Sequence, residues 1–137
     1  MSIKRQEDGP MQKISLQSGI GGTIGDFYID NVEVYAWYQN RKVTEVPAGQ
    51  SFEIHAEYDI ANLNAGLTLW STCMTIYNVT KGESVGSDLY RNHSGKGLLT
   101  AHDAVNVRMP DEATTFRVKL FANQGSLGVD PPPEREW

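Results

Sequence analysis

The sequence predicts an all-β fold, most simply an antiparallel two-sheet sandwich of about seven strands. Apolar and polar residues alternate with a period of two along several segments. Short turns rich in Gly, Pro, Asn or charged residues separate these segments, and the sequence has no amphipathic helix pattern longer than two turns. Because strands joined by short turns without helical crossovers pair antiparallel, a two-layer sandwich follows, with a small closed barrel as the alternative.

The clearest strand is predicted over residues 51–60. Its apolar side chains are Phe52, Ile54, Ala56, Tyr58 and Ile60, and its polar ones are Ser51, Glu53, His55, Glu57 and Asp59. Such strict alternation is typical of a strand that packs one face on a core and exposes the other to water.

Other strands are predicted on both sides of this one. From residue 27 onward, Val32, Val34, Ala36 and Tyr38 alternate with Asn31, Glu33, Tyr35 and Trp37. The run over 67–79 is largely apolar, which is typical of a strand covered on both faces. Further strands are expected over 84–90, 98–109 and 114–122, each bounded by turn residues.

The chain is long enough for one domain, flanked by two polar segments. We expect an N-terminal arm over residues 1–24, a body over 25–124 and a tail over 125–137. Four glycines between 18 and 25 indicate a joint or turn, since the Gly-Lys-Ser/Thr ending of a phosphate-binding loop is missing. Within the arm, residues 14–16 alternate and could add a short edge strand.

The C-terminal tail carries the features of a partner-binding segment. Pro131, Pro132 and Pro133 stiffen the chain into an extended polyproline conformation that cannot join a sheet. Trp137 then ends the chain, and tryptophan is a favoured anchor in protein interfaces. We therefore predict that these four residues bind a neighbouring protein subunit.

Composition excludes several classes of function. Twelve Lys and Arg against seventeen Asp and Glu give a net charge of −5, which disfavours a nucleic acid as partner. No apolar run is long enough to span a membrane, and the charged start of the chain does not match a secretory signal, so synthesis in the cytoplasm is expected. Cys73 is the single cysteine, which rules out an intrachain disulfide and is expected to be an unreactive core residue.

No catalytic or metal-binding set emerges from the spacing. Glu53, His55 and Glu57 share one strand face, an arrangement that could hold a divalent metal but is more often a solvated face. His102 and Asp103 are neighbours in a strand and point to opposite faces, and no Ser lies in a Gly-x-Ser-x-Gly elbow. The sequence therefore predicts no metal, no cofactor and no enzymatic activity.

Outward aromatic residues are the more informative feature. If Val34 and Ala36 face the core, Tyr35 and Trp37 face outward, and Trp70 and Tyr77 are expected to join them. Clustered aromatic rings on a sheet could contact a protein subunit, lie under the chain's own arm, or stack on sugar rings.

Three segments together resemble bacterial adhesion-related immunoglobulin-like domains of the CARDB-like type: Asp30–Trp37, Val46–Ile60 and Asn62–Gly66. In those domains a strand is followed by a Pro-x-Gly turn, an alternating strand and an Asn-x-Gly-type loop. Residues 107–111, before the last strand, resemble the closing hairpin of such modules. The resemblance extends over about residues 27–122 and implies an immunoglobulin-like sandwich that joins or displays rather than catalyses.

These observations predict a non-catalytic structural or assembly module that binds neighbouring protein subunits through its arms. The partner is another copy of the chain or a capsid or tail protein, because lone immunoglobulin-like sandwiches made without a signal are familiar in tailed phage particles as decoration or tail components. The alternative function is carbohydrate binding or cell-surface adhesion, with Tyr35, Trp37 and Trp70 as the platform.

Overall fold

The computed structural model describes residues 9–19, 21–24, 26–63, 69–88, 91–94 and 97–124. In that part of the chain the secondary structure is β-strand, and no helix is long and apolar enough to cross a membrane. The strands in chain order are β1 (Met11–Ser18), β2 (Gly22–Ile24), β3 (Phe27–Tyr38), β4 (Arg41–Val43), β5 (Glu45–Pro47), β6 (Ser51–Asn62), β7 (Leu69–Asn78), β8 (Glu83–Ser87), β9 (Arg91–Ser94), β10 (Gly97–Arg108) and β11 (Thr114–Gln124).

The strands form two sheets, as the alternation predicted. The first has the order β5-β1-β11-β7-β8, with β9 also paired to β7, and the second has the order β10-β6-β3-β2, with β4 also paired to β3. The second sheet is antiparallel throughout, whereas the first is mixed because β1 runs parallel to β11. The expected count of about seven strands is too low, since β2, β4, β5, β8 and β9 have three to five residues and are too short for a period of two to reveal.

A single apolar core lies between the two sheets. Two pairs of aromatic rings pack within it: Phe27 lies against Trp70 with ring centroids 5.7 Å apart, and Phe52 lies against Phe116 with ring centroids 5.9 Å apart. Strand β6 follows the predicted alternation: its even-numbered side chains from 52 to 60 are buried, and its odd-numbered ones from 51 to 59 are exposed or half-buried. The core residues that are fully buried and large are Phe27, Ile29, Val46, Ile54, Ile60, Trp70, Met74, Ile76, Met109, Phe116, Val118 and Leu120.

Part of the expected N-terminal arm belongs to the body. Strand β1 lies between β5 and β11, with residues 14–18 opposite 114–118, so it is an internal strand and not the short edge strand expected there. The physical reason is that Ile14 and Leu16 pack against the core. Strand β2, also expected in the arm, pairs with β3. Residues 1–8 lie outside the described part of the chain.

A bulge in β3 decides which side chains of that strand reach the solvent. Asp30 pairs with residue 59 and Glu33 with residue 57, so β3 has one extra residue between these pairs. Asn31 accommodates the extra residue by adopting a φ of 54°, a left-handed conformation that Asn tolerates better than most residues. Before the bulge Phe27 and Ile29 point into the core, and after it Ala36 does, so the inward positions change from odd to even.

The first sheet curls toward the second at its β8 edge. The Asp88 carboxylate, just after β8, accepts a hydrogen bond of 3.3 Å from the backbone N–H of Ala104 on β10. A Cβ atom at Gly86 would lie 2.8 Å from a methyl carbon of Val105, so β8 approaches β10 closely. This contact closes one side of the core, and the outer face of the second sheet remains open.

Candidate functional site

The most organised group of polar and aromatic side chains lies on the outer face of the second sheet. Tyr35 and Trp37 of β3 stand beside His55 of β6, and His102 of β10 completes the group. We call these four residues the aromatic cluster. The bulge at Asn31 positions it, because without the extra residue Tyr35 and Trp37 would point into the core.

The rings of the aromatic cluster contact one another in sequence across the strands. Tyr35 stacks on His55 with centroids 5.1 Å apart and planes 13° apart. Trp37 lies 6.2 Å from Tyr35 and 5.9 Å from His55, and His102 lies 5.0 Å from His55. On the β4 side of β3, the Lys42 ammonium lies 4.4 Å from the centroid of the Tyr35 ring, which is a cation–π distance. The Tyr35 ring is therefore flanked by His55 and Lys42.

The Tyr35 hydroxyl is held by a carboxylate. It donates a hydrogen bond of 2.5 Å to Glu57 on the neighbouring strand. Desolvation of the phenol raises the pKa of Tyr35 to about 12, with the Glu57 hydrogen bond and the charges of Glu57 and Glu33 adding to the effect. The same hydrogen bond is the largest cause that lowers the pKa of Glu57, so at neutral pH the phenol is protonated and the carboxylate ionised.

The two histidines form a hydrogen-bonded chain with Glu53. His55 Nε2 lies 3.0 Å from Glu53 Oε1, and His55 Nδ1 lies 2.7 Å from His102 Nε2. When His55 donates its Nε2–H to the carboxylate, its Nδ1 can accept the Nε2–H of His102. Among the described residues no three His, Cys, Asp or Glu side chains converge in a way that could hold a metal ion.

Carboxylates surround the aromatic cluster. Asp59 accepts hydrogen bonds of 2.8 Å from the Asn31 amide and 2.7 Å from the Thr100 hydroxyl, and these bonds lower the pKa of its carboxyl. Glu33 makes an ion pair of 2.8 Å with Lys42, and the hydrogen bond that the ammonium donates to this carboxylate is the largest cause that raises the pKa of Lys42. The outer face is thus polar and acidic around a group of stacked rings.

The structure brings together some of the predicted site residues and separates others. Tyr35 and Trp37 are neighbours on the outer face, but Trp70 is 1% exposed and lies in the core, so its expected outward position is wrong. It shares the inward face of β7 with Met74 and Ile76, against Phe27. Tyr77 lies half-buried on the outer side of the first sheet, so it does not join Tyr35 and Trp37 either. Pro131, Pro132, Pro133 and Trp137 lie outside the described residues.

The structure also locates the polar residues that were considered as metal-binding or catalytic candidates. The expected row of Glu53, His55 and Glu57 exists, although Glu57 bonds to Tyr35 and not to His55. His102 is exposed on the outer face and Asp103 is buried, as their adjacent positions predicted. Cys73 is buried and forms no disulfide, and its thiol donates a hydrogen bond of 3.4 Å to the Asp88 carbonyl.

Three members of the site could not be found from sequence patterns. The alternation along β10 predicts that His102 faces outward, but only the pairing of β10 with β6 places it beside His55. Lys42 reaches Tyr35 because Gln39 and Asn40 both adopt positive φ in the tight turn that folds β4 back along β3. Asn31 carried no bulge signal, although Asn is a residue type that tolerates the required φ.

An open cleft of about 550 Å³ lies next to the aromatic cluster, where β1 faces β3 and β4. Ile14, Leu16 and Val43 contribute apolar lining, while Arg41 and Glu45 contribute charged groups. Tyr35 and Lys42 also line the cleft, so it is continuous with the outer face.

Comparison with protein-family models, with curated proteins and with solved structures found no match for this chain. The chain is therefore assigned to no family, and its similarity to CARDB-like domains stays an expectation from short motifs.

Proposed function

We propose that this protein is a non-catalytic assembly module whose outer sheet face, centred on the aromatic cluster, binds a protein subunit. The observation that carries the proposal is the stacked and hydrogen-bonded arrangement of Tyr35, Trp37 and His55 on a solvent-facing sheet. Rings already held by neighbours lose little conformational entropy on binding. Tyr and Trp in such positions are the residue types that dominate the energy of protein interfaces.

The contacts of Tyr35 favour a protein partner over a sugar. A ring that stacks on a sugar needs a free face, and Tyr35 has His55 stacked beside it and Lys42 within cation–π distance. Its hydroxyl is also engaged by Glu57. Trp70 is buried, so Trp37 alone remains of the three-residue platform on which the carbohydrate alternative relied. A protein surface can instead contact the edges of this cluster and the charges around it.

The viral particle is the setting we propose, as a decoration or tail component that docks repeatedly on protein neighbours. This setting relies on analogy with lone immunoglobulin-like sandwiches in phage particles. The terminal segments, with Pro131 to Pro133 and Trp137, are proposed as additional contacts. We also propose that the two sheets are an elaborated immunoglobulin-like sandwich in which short strands extend the edges.

Site-specific photo-crosslinking of the full chain tests the protein contact. A photoreactive phenylalanine replaces Asn106, which is exposed and shares a cross-strand row with Glu53 and Trp37. The matched control places the same group at Glu112, an exposed position in the β10–β11 connection. In the particles or cells that contain the protein, we expect irradiation to crosslink a peptide of a partner protein to position 106 and no peptide to position 112.

A glycan titration supplies the opposing result. The indole N–H resonance of Trp37, identified by its loss in Trp37→Phe, is followed while soluble glycans are added to the full chain. We expect no saturable shift. A saturable shift of this resonance, together with no peptide attached at position 106, would contradict the protein-contact function and favour the carbohydrate alternative.

A further inference from the structure

The outer faces of the two sheets carry opposite charge. On the outer face of the second sheet, the described carboxylates are Asp30, Glu33, Glu53, Glu57 and Asp59, and the described Lys and Arg side chains are Lys42 and Arg108. We call this the acidic face. It is the face that bears the aromatic cluster, so its charge surrounds the surface proposed above as the protein contact.

The outer face of the first sheet is basic. It carries Lys13 on β1 and Arg117 and Lys119 on β11. Among the described residues one carboxylate lies with them, that of Glu45, which is paired with Lys13 on the neighbouring strand. Two aromatic side chains, Tyr77 and Phe121, lie half-buried on the same side. We call this the basic face.

The basic face is ordered by its own side-chain contacts. The Lys119 ammonium lies 5.0 Å from the centroid of the Tyr77 ring, and the Arg117 guanidinium donates a hydrogen bond of 3.3 Å to the Gln17 side chain. Each outer face therefore combines aromatic rings with charged groups that are already positioned, and the signs of the charges are complementary.

We propose that copies of this chain bind one another head to tail, the acidic face of one copy on the basic face of the next. The inference rests on the proposed function, since it uses the same aromatic face and names its partner. Because the two faces lie on opposite sides of a two-layer molecule, this contact is heterologous and repeats into a ring or a filament. Pairing two acidic faces would oppose like charges, which disfavours a symmetric dimer through that face.

The size of the faces suits such a contact. Each sheet has three long adjacent strands, of 12 residues each in the second sheet and of 8 to 11 residues in the first, and at about 4.8 Å spacing and about 3.3 Å per residue they give an area of roughly 450–600 Å². A standard protein interface buries about 800 Å² on each partner. The head-to-tail contact is thus at the small end of stable interfaces, so association should depend on protein concentration and weaken with salt, which screens exposed charges.

Charge reversal in the full chain tests the arrangement. Arg117→Glu with Lys119→Glu reverses the basic face, and Glu33→Lys with Glu53→Lys reverses the acidic face. Sedimentation velocity at low salt should show association of the wild-type chain, and each double variant alone should associate at least about tenfold more weakly. Mixing the two variants should restore association, because the acidic face of the first then meets the basic face of the second.

A control separates face charge from net charge. Arg41→Glu with Lys81→Glu changes the net charge as much as the basic-face reversal does, but Arg41 begins β4 and Lys81 lies in the β7–β8 turn, outside both faces, so this variant should still associate. Circular dichroism confirms the fold of each variant. If a reversal prevents folding, Arg117→Gln with Lys119→Gln replaces it, and the same loss of association is expected.

Other results overturn the head-to-tail contact. If the wild-type chain stays monomeric at low salt and high concentration, the head-to-tail contact is refuted. The proposed protein contact must then involve a different protein. Association that survives both reversals, or a mixture that fails to recover it, also refutes this arrangement. Trp37→Ala distinguishes the two proposals: if it weakens association while both charge reversals do not, the aromatic face is a contact surface and the basic face is not its partner.

Discussion

Removing one buried hydroxyl should destabilise the protein measurably. Tyr58 on β6 and Asp103 on β10 are 2% and 1% exposed, and the Tyr58 hydroxyl donates a hydrogen bond of 2.6 Å to the Asp103 carboxyl. Tyr58→Phe keeps the ring and its packing but deprives a buried carboxyl of this donor. Leaving a buried acceptor without its donor costs about 1–3 kcal/mol, so the free energy of unfolding should fall by that amount and Tm by roughly 4–12 °C.

Tyr28→Phe is the matched control. Tyr28 also bonds an aspartate, Asp30, but its side chain is 37% exposed, so water replaces the lost partner. Thermal and urea unfolding followed by circular dichroism should show a change within about 0.5 kcal/mol for this control. If Tyr58→Phe is as stable as the control, the buried hydrogen bond between Tyr58 and Asp103 does not stabilise the fold.

Three further predictions concern pH, a buried hydroxyl and the bulge. Glu57 and Asp59 have pKa values below their ordinary 4.5 and 3.8, so the stability they contribute is present at neutral pH and should be lost as pH falls below about 4.5. The pKa of Tyr35 is raised to about 12, so its contribution to stability should be lost between about pH 10 and 12. Urea unfolding measured across pH tests both effects, and a free energy of unfolding that does not change with pH would contradict them. Ser71 carries a buried hydroxyl for which the described residues provide no hydrogen-bond partner, so Ser71→Ala should leave stability unchanged or raise it by about 1 kcal/mol, and a clear loss would show that the hydroxyl is bonded. Asn31→Val should cost about 2 kcal/mol because a β-branched residue is strained at positive φ, while Asn31→Gly should cost less; equal losses would argue against strain at the bulge.

The sequence alone specified an all-β protein of two sheets and the solvent-facing composition of the central strand. The side-chain period of a strand is two, so the alternation from Ser51 to Ile60 was enough to predict which residues of β6 are buried. The same rule separated His102 from Asp103. These are local properties, because they depend on neighbours along one strand.

The tertiary structure decided everything that depends on which strands are adjacent. Parallel pairing with β11 makes β1 an internal strand, although its residues looked like an arm. Trp70 is buried because the even-numbered side chains of β7 point into the core, and the sequence could not show this because neither face of β7 carries a charged residue. One extra residue at Asn31 aims Tyr35 outward. The aromatic cluster exists because three strands separated in sequence are hydrogen-bonded side by side, and strand register is a property of the folded sheet rather than of any segment.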